Sequence, residues 1–346
     1  MKFAIIGAGS IGSLIGAKLS LSGEEVALVG RDPHISKIRK DGLIVEFPEE
    51  KKSIKNMSAF TNLIDLKKSQ FNPQLFVFTM KSYDTKQSCE ELSEVFGNFS
   101  NDYILLTFQN GIGNEETISS FFGEGKTFSG ALTISVSLLE PGRVRQNTLK
   151  GGVGLAPVEI KKKTKEKVNE LRKIFKKAKF NTMIFENYRE LKWSKLLLNI
   201  IANASSAIYD LSPLEIAKDK ELFLQEQMAF KEACKVTSKL GLKTVNLPDY
   251  NVNLLKFIIN LPQLLSQMIL KNRIGESRGE KMPSLWQDFK KSKKYSEVEV
   301  LNGAVVKYGQ RLQINTPAND FFYHTLKNII DGKLNHENFK NRNFNR

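Results

Sequence analysis

Cysteine and histidine are scarce in this chain: 346 residues hold 2 cysteines and 3 histidines. Cys89 and Cys234 cannot build a disulfide framework or a structural zinc site, so no metal is expected. His34, His324 and His336 lie far apart in sequence, so any acid–base chemistry falls to Lys, Glu or Asp. Long apolar runs are also missing. Leu254 to Leu270 comes nearest to the ~18 apolar residues of a membrane span, but Asn260, Pro262, Gln263, Ser266 and Gln267 interrupt it. The apolar stretch from Met1-Lys2 to Leu21 has the outline of a signal peptide. Its glycines Gly7, Gly9, Gly12 and Gly16 weaken such a helix and have a better explanation below. The expected setting is therefore the cytoplasm, with no membrane partner. Acidic residues fall short of basic ones, 37 Asp plus Glu against 52 Lys plus Arg, a net charge of +15. That excess suits anionic partners, small molecules among them. The run Lys161-Lys162-Lys163 with Lys165 and Lys167 reads as a solvated helix face. No aromatic interleaving or nucleic-acid motif accompanies it, so no nucleic-acid partner is expected.

What is present is ordinary for a soluble globular protein: 41% hydrophobic and 26% charged residues. At roughly 150 residues per domain the length implies about two domains. In the first half, strand and helix signals alternate. Phe3 to Ile6, Val26 to Val29, Leu75 to Met80 and Tyr103 to Thr107 read as buried strands, and Asp84 to Val95 reads as a helix. This pattern predicts βαβ units and a parallel sheet covered by helices on both faces. From Lys126 to Ala156 the pattern is strand-rich, with a turn at Pro141-Gly142. A charged amphipathic helix from Lys161 to Lys179 and a short strand from Met183 to Phe185 follow. After about Glu186 every periodic segment reads as helix: Tyr188 to Tyr209, Pro213 to Leu240, Pro248 to Lys271, Ser296 to Gln310 and Pro317 to Ile330. The fold class is therefore an α/β N-terminal Rossmann-type parallel-sheet domain followed by an all-α C-terminal domain. The boundaries are 1–186 for the first, 187–332 for the second, and a polar, fraying tail at 333–346.

Gly7-Ala8-Gly9-Ser10-Ile11-Gly12 matches G-x-G-x-x-G and stands between an apolar strand and an amphipathic helix, the context that motif needs. Gly7 permits the tight turn, Gly9 lets backbone N–H groups approach a pyrophosphate, and Gly12 lets helix and strand pack closely. The second strand ends Leu28-Val29-Gly30-Arg31. An NAD-preferring chain carries Asp or Glu there, whereas Arg31 favours the 2′-phosphate of NADP. Gly125-Lys126-Thr127 mimics the end of a P-loop, but Ser120 stands where that motif needs glycine.

Between Trp193 and Ala207 the chain is almost wholly apolar, and Lys195, Asn199 and Asn203 recur at i, i+4 and i+8. A buried helix with one polar stripe must aim that stripe at a ligand or at buried partners. Lys81 follows a sheet strand, and Asn110-Gly111 follows the next, at the carboxyl ends where ligands bind in such folds. Glu297 falls in the first turn of a helix, where the dipole alone favours a carboxylate.

Together these blocks resemble the ketopantoate reductase family, over residues 2 to about 330. The resemblance rests on Gly7–Gly12, Arg31, Met80-Lys81-Ser82-Tyr83, Gln109-Asn110-Gly111, Glu190-Leu191-Lys192-Trp193-Ser194-Lys195-Leu196 with Asn199 and Asn203, Ser284-Leu285-Trp286-Gln287-Asp288, and Glu297-Val298-Glu299-Val300-Leu301-Asn302-Gly303. It implies reduction of 2-dehydropantoate by NADPH to (R)-pantoate, the precursor of pantothenate and coenzyme A. By the same resemblance, Gly7, Ala8, Gly9, Ser10, Ile11 and Gly12 would cradle the cofactor, and Arg31 and Lys81 would hold its adenosine-phosphate end. Asn110 would lie near nicotinamide and substrate. Lys195 would be the general acid, with Asn199, Asn203 and Ser284 binding substrate and Glu297 holding the substrate hydroxyl. The implied partner is a small 2-oxo acid, and a homodimer is an assembly open to such a chain. Three features depart from the pattern: Ala204-Ser205 after Asn203, the bulky Trp286, and one extra residue between Asp288 and Glu297. They point to specificity, so reduction of another branched 2-oxo acid and an opine-type dehydrogenase are the enzymatic alternatives. An NADP-binding regulatory protein without turnover is the non-enzymatic one, and the joint presence of Lys195 and Glu297 argues against it.

Overall fold

The computed structural model describes residues 1–97, 103–277 and 282–340. They form two compact units. The first comprises Met1–Gln109, Gly113–Lys192 and Leu247–Tyr250; the second comprises Asn110–Ile112, Trp193–Asn246 and Asn251–Arg346.

Among the described residues, twelve strands build the first unit: β1 (Lys2–Ile6), β2 (Glu25–Val29), β3 (Leu43–Glu46), β4 (Lys51–Ile54), β5 (Ser58–Phe60), β6 (Leu75–Phe78), β7 (Ile104–Thr107), β8 (Thr127–Leu132), β9 (Val136–Glu140), β10 (Arg143–Gln146), β11 (Val153–Pro157) and β12 (Thr182–Ile184). The main sheet runs β12-β11-β8-β7-β6-β1-β2-β5. Every neighbouring pair in it is parallel except β11 with β8. Its strands are apolar at successive positions because both faces are covered. Phe3, Ile5, Leu75, Val77 and Leu106 feed one core. Ala4, Ile6, Phe76, Phe78 and Leu105 feed the other. The Rossmann-type parallel sheet expected from the sequence is therefore present.

A second sheet, β4-β3-β10-β9, accompanies it. Pro141-Gly142 closes the β9–β10 hairpin, as the sequence suggests. His34 is spent on this junction. Its Nδ1 accepts from the Gly142 N–H at 2.9 Å, and its Nε2 lies 2.9 Å from Ser13 Oγ. Burial pushes its pKa down and holds the ring neutral, so His34 is a structural brace.

The second unit is helical, and its long helices are more broken than their periodicity suggests. The expected helix from Tyr188 to Tyr209 is two, Tyr188–Ile200 and Ala204–Tyr209. Between them Ala202 takes a φ of +53° and its N–H donates to the buried Glu226 Oε2 at 2.8 Å. The carboxylate captures an N–H that would otherwise continue the helix. Pro213 to Leu240 divides into Pro213–Lys218 and Lys220–Lys239, where Asp219 accepts from the N–H groups of Glu221 and Leu222. Pro262 separates Val252–Asn260 from Gln263–Ser277. Glu297–Glu299 is a short 3-10 turn, and the following helix begins at Asn302. Trp193 is buried and meets Tyr308 edge to face, with ring centroids 5.3 Å apart.

Of the tail expected to fray, residues 341–346 lie outside the described residues. Glu337–Lys340 forms a short helix, His336 Nε2 lies 3.0 Å from the Ala207 carbonyl, and Phe339 packs on Tyr209. Among the described residues no helix is long and apolar enough to cross a membrane.

Candidate functional site

In the main sheet, β1 lies between β2 and β6, so the chain passes to either side of it. Such a switch point leaves a crevice at the carboxyl ends of the strands. The glycine turn sits there. Gly7 has φ +94°, and a Cβ on it would fall 2.3 Å from the Met80 nitrogen. On Gly12 a Cβ would fall 2.5 Å from Thr79 Oγ1 and 2.7 Å from the Gly7 carbonyl oxygen. Gly9 differs: a Cβ there would meet only the Gly7 carbonyl oxygen, at 3.9 Å. Gly7 and Gly12 are thus required by the fold itself, whereas Gly9 leaves open space in front of a helix N-terminus. Helix Ser10–Leu21 starts at Gly9 with no capping side chain and no acid in its first turn. Its leading N–H groups, Ser10 and Ile11 among them, are therefore a ready anion site, with Ala8 in the turn before them. The residues present fit the diphosphate of a dinucleotide.

Arg31 and Lys81 follow the carboxyl ends of β2 and β6, two strands that flank β1 in the main sheet. Arg31 is 86% exposed in its side chain and donates from Nη2 to Asp84 Oδ2 at 2.9 Å. Asp84 closes the short turn Ser82–Asp84 that starts directly after Lys81. Arg31 spends one of its donors on that carboxylate, and its side chain otherwise faces solvent. No side chain competes at residue 30, where a Cβ would lie 3.0 Å from that of Ala8.

The remaining predicted residues belong to the second unit, and a run of hydrogen bonds joins most of them. Asn199 Nδ2 donates to Asn110 Oδ1 at 3.1 Å. Asn203 Nδ2 donates to the Asn199 carbonyl at 3.0 Å, and Asn203 Oδ1 accepts from the Leu285 N–H at 3.0 Å. Leu285 follows Ser284, the first residue of helix Ser284–Lys290. The segment Asn110-Gly111-Ile112 rests on the end of the Glu297 turn: the Ile112 N–H donates to the Val300 carbonyl at 3.0 Å. Gly111, φ +83°, has no room for a side chain, since a Cβ would lie 2.4 Å from Val300 Cγ2. Glu297 is buried, and Lys195 is half-buried one helical turn before Asn199. The structure therefore gathers Asn110, Asn199, Asn203, Ser284 and the Glu297 turn around the helix that carries Lys195.

Asn203 also acquires a duty the sequence does not reveal. Because the helix breaks before it, its amide joins the end of helix Tyr188–Ile200 to the start of Ser284–Lys290. Replacing it with alanine removes two bonds that are largely buried, at about 1–3 kcal/mol for the group left unsatisfied. Asn203→Ala should lower the melting temperature, read by thermal melts; a wild-type melting temperature would show that the two bonds contribute nothing to stability.

One polar group inside the first unit has no role assigned by the sequence, although it stands in the block Glu190–Leu196. Lys192 is 3% exposed; its Nζ donates to the Gln109 carbonyl and pairs with Glu115 Oε1 at 3.1 Å. Glu115, 1% exposed, also accepts from Ser129 Oγ at 2.7 Å. The Gln109 side chain is held in turn, by Thr107 Oγ1 at 3.0 Å and by donation to Thr85 Oγ1 at 2.7 Å. The available signal is a lysine set between Leu191 and Trp193, both of which are buried. Among the described residues no group of His, Cys, Asp and Glu is arranged to hold a metal ion.

Comparison with known proteins gives this arrangement a context. Residues 3–159 match a family model described as ketopantoate reductase PanE/ApbA, and residues 187–330 match that of its C-terminal domain. A 2-dehydropantoate 2-reductase of Pyrococcus horikoshii is 31% identical over 94% of this chain and 97% of its own. One from Aquifex aeolicus is 26% identical over 94% of this chain and 96% of its own. Among solved structures, a PanE/ApbA family ketopantoate reductase from Ralstonia eutropha superimposes with a TM-score of 0.78 at 27% identity, over 96% of this chain and 99% of its own. A D-mandelate dehydrogenase solved with NADH and anilino(oxo)acetate gives 0.79 at 23% identity over 96% and 99%, a likeness of fold.

Proposed function

We propose that this chain, which belongs to the ketopantoate reductase family and is an oxidoreductase, reduces 2-dehydropantoate to (R)-pantoate with NADPH. The observation that carries the reading is the hydrogen-bonded run Asn110–Asn199–Asn203 on the helix of Lys195, set against the Glu297 turn. Histidine, the usual proton donor, is scarce in this chain, and an ammonium among amides suits the task of giving a proton to a reduced ketone. The names of the relatives support the substrate, and the open space at Gly9 supports a dinucleotide.

NADPH, when bound, supplies the hydride to the ketone carbon of the substrate. The glycine turn and the N-terminus of helix Ser10–Leu21 hold the diphosphate, and Arg31 with Lys81 holds the adenosine phosphates. As negative charge develops on the ketone oxygen, Lys195 Nζ stabilises it and donates the proton. Asn199, Asn203 and Ser284 orient the oxo acid, Asn110 fixes the reacting end, and Glu297 accepts from the substrate hydroxyl. The basic excess of the chain favours both anionic ligands.

Cofactor choice is testable at Arg31. A charge-assisted hydrogen bond is worth about 1.5–3 kcal/mol, or roughly 10- to 150-fold. Arg31→Ala should raise KM for NADPH by that factor and leave KM for NADH nearly unchanged; equal losses for both would remove Arg31 from phosphate recognition. The function itself is tested by measuring NADPH oxidation over a panel of branched 2-oxo acids. The highest kcat/KM should fall on 2-dehydropantoate. Trp286 bears on that outcome, because its indole Nε1 is tied to Asp210 Oδ1 at 2.5 Å two residues beyond Ser284. A maximum on another oxo acid would reassign the substrate within the same chemistry.

A further inference from the structure

The buried Lys192–Glu115 pair is left over when the reaction has been assigned to other residues, and its geometry gives it a task. Its ammonium reaches both ends of one turn. It donates to the carbonyl oxygen of Gln109, which belongs to the peptide group joining Gln109 to Asn110. It pairs at 3.1 Å with Glu115, in the first turn of helix Asn114–Phe122. The residues between include two glycines in the left-handed region, Gly111 at φ +83° and Gly113 at φ +110°. Such a turn has more backbone freedom than one built from other residues. Its ends therefore need fixing if the first side chain in it is to hold one direction.

We propose that Lys192 is a positioning residue for the reduction: its buried ammonium clamps the ends of the Gln109–Glu115 turn and so fixes the peptide plane from which the Asn110 side chain projects. The proposal rests on the reading that Asn110 serves the reaction. A buried ion pair is weak evidence for stability, since apolar residues of similar size often do as well. It is good evidence for geometry here, because an apolar substitute supplies no donor to the Gln109 carbonyl. Thr107 and Thr85 hold the side chain of Gln109, and Thr107 Oγ1 also accepts from its backbone N–H at 3.2 Å, which leaves its carbonyl as the group that Lys192 holds. Ser129 fixes the other end by donating to the same Glu115 oxygen that faces Lys192.

The test compares Lys192→Met with the double variant Lys192→Met/Glu115→Gln, measuring melting temperature, NADPH Kd and kcat on the best oxo acid. The single variant strands a buried carboxylate and should melt well below wild type. The double variant removes that stranded charge and should recover most of the melting temperature. Its kcat should stay about 10- to 100-fold low, the scale of a displaced positioning contact, with NADPH Kd unchanged. Recovery of kcat together with melting temperature would make the pair a structural element only and overturn the proposal. Lys192→Arg, which keeps the charge but moves the donors, is read in the same way if the neutral pair does not fold: a several-fold lower kcat supports positioning and wild-type kcat overturns it. A crystal structure of the double variant separates this proposal from the functional reading. A rotated Gln109–Asn110 peptide supports the clamp even if wild-type protein does not reduce 2-dehydropantoate, and an unmoved peptide overturns it whatever the activity.

Discussion

Lys195→Ala should lower kcat on the best oxo acid by about 10²–10⁴-fold or more while the protein stays folded and still binds NADPH. General acid catalysis alone contributes that range, about 2.7–5.5 kcal/mol of barrier. The same substitution also removes a positive charge from beside the developing oxyanion, which pushes the loss toward the upper end. The fold should tolerate the change. Lys195 is half-buried on a helix whose neighbours Leu196, Leu197 and Leu198 carry the packing. NADPH affinity should move little, because the residues assigned to the phosphates are Gly7–Gly12, Arg31 and Lys81. A lysine with a structural role would give the opposite pattern, a lower melting temperature with kcat preserved in the folded fraction. One preparation assayed for turnover, NADPH binding and melting temperature separates the two.

Two glycines of a single motif should fail in different ways. Gly9→Ala adds a methyl group to open space, with the Gly7 carbonyl oxygen 3.9 Å away, so the melting temperature should hold. The methyl group occupies the approach of the diphosphate, and affinity for NADPH and NADH alike should fall at least about tenfold, roughly 1.4 kcal/mol. Gly7→Ala meets a φ of +94° and a contact of 2.3 Å with the Met80 nitrogen. Left-handed strain and overpacking together cost about 2–4 kcal/mol, so this variant should lose stability with or without cofactor. Thermal melts and fluorescence titration on both variants read the contrast. If Gly9→Ala bound both cofactors normally, the glycine turn would not be the diphosphate site.

The tight turn at Gly7 and the close packing at Gly12 were legible in the sequence, because both follow from backbone geometry that the motif enforces. The main sheet was legible for a related reason. Strands such as Leu75–Phe78 and Ile104–Thr107 are apolar at every position, as burial on both faces demands. The second sheet gave far less signal. Lys51–Ile54 reads Lys-Lys-Ser-Ile, with only Ile54 buried, and a strand that short and polar looks like a loop. Helix periodicity showed where helices lie but not where they stop. The break at Ala202 depends on Glu226, 24 residues away, which no local pattern contains. The stripe Lys195-Asn199-Asn203 is therefore not carried on one unbroken helix, although Asn203 still bonds back to Asn199 across the break. The role of Lys192 was illegible for the same reason. Its partners Gln109 and Glu115 lie more than 70 residues before it, and only the fold reveals that the three belong together.

The most direct test of the account follows product as well as cofactor. Wild-type protein supplied with 2-dehydropantoate and NADPH should form (R)-pantoate, one molecule for each NADPH oxidised, as read by chiral chromatography alongside the loss of absorbance at the nicotinamide band. Lys195→Ala, with NADPH bound, should form almost none in the same time. NADPH consumed without (R)-pantoate, or (R)-pantoate formed at the wild-type rate by folded Lys195→Ala, would contradict it.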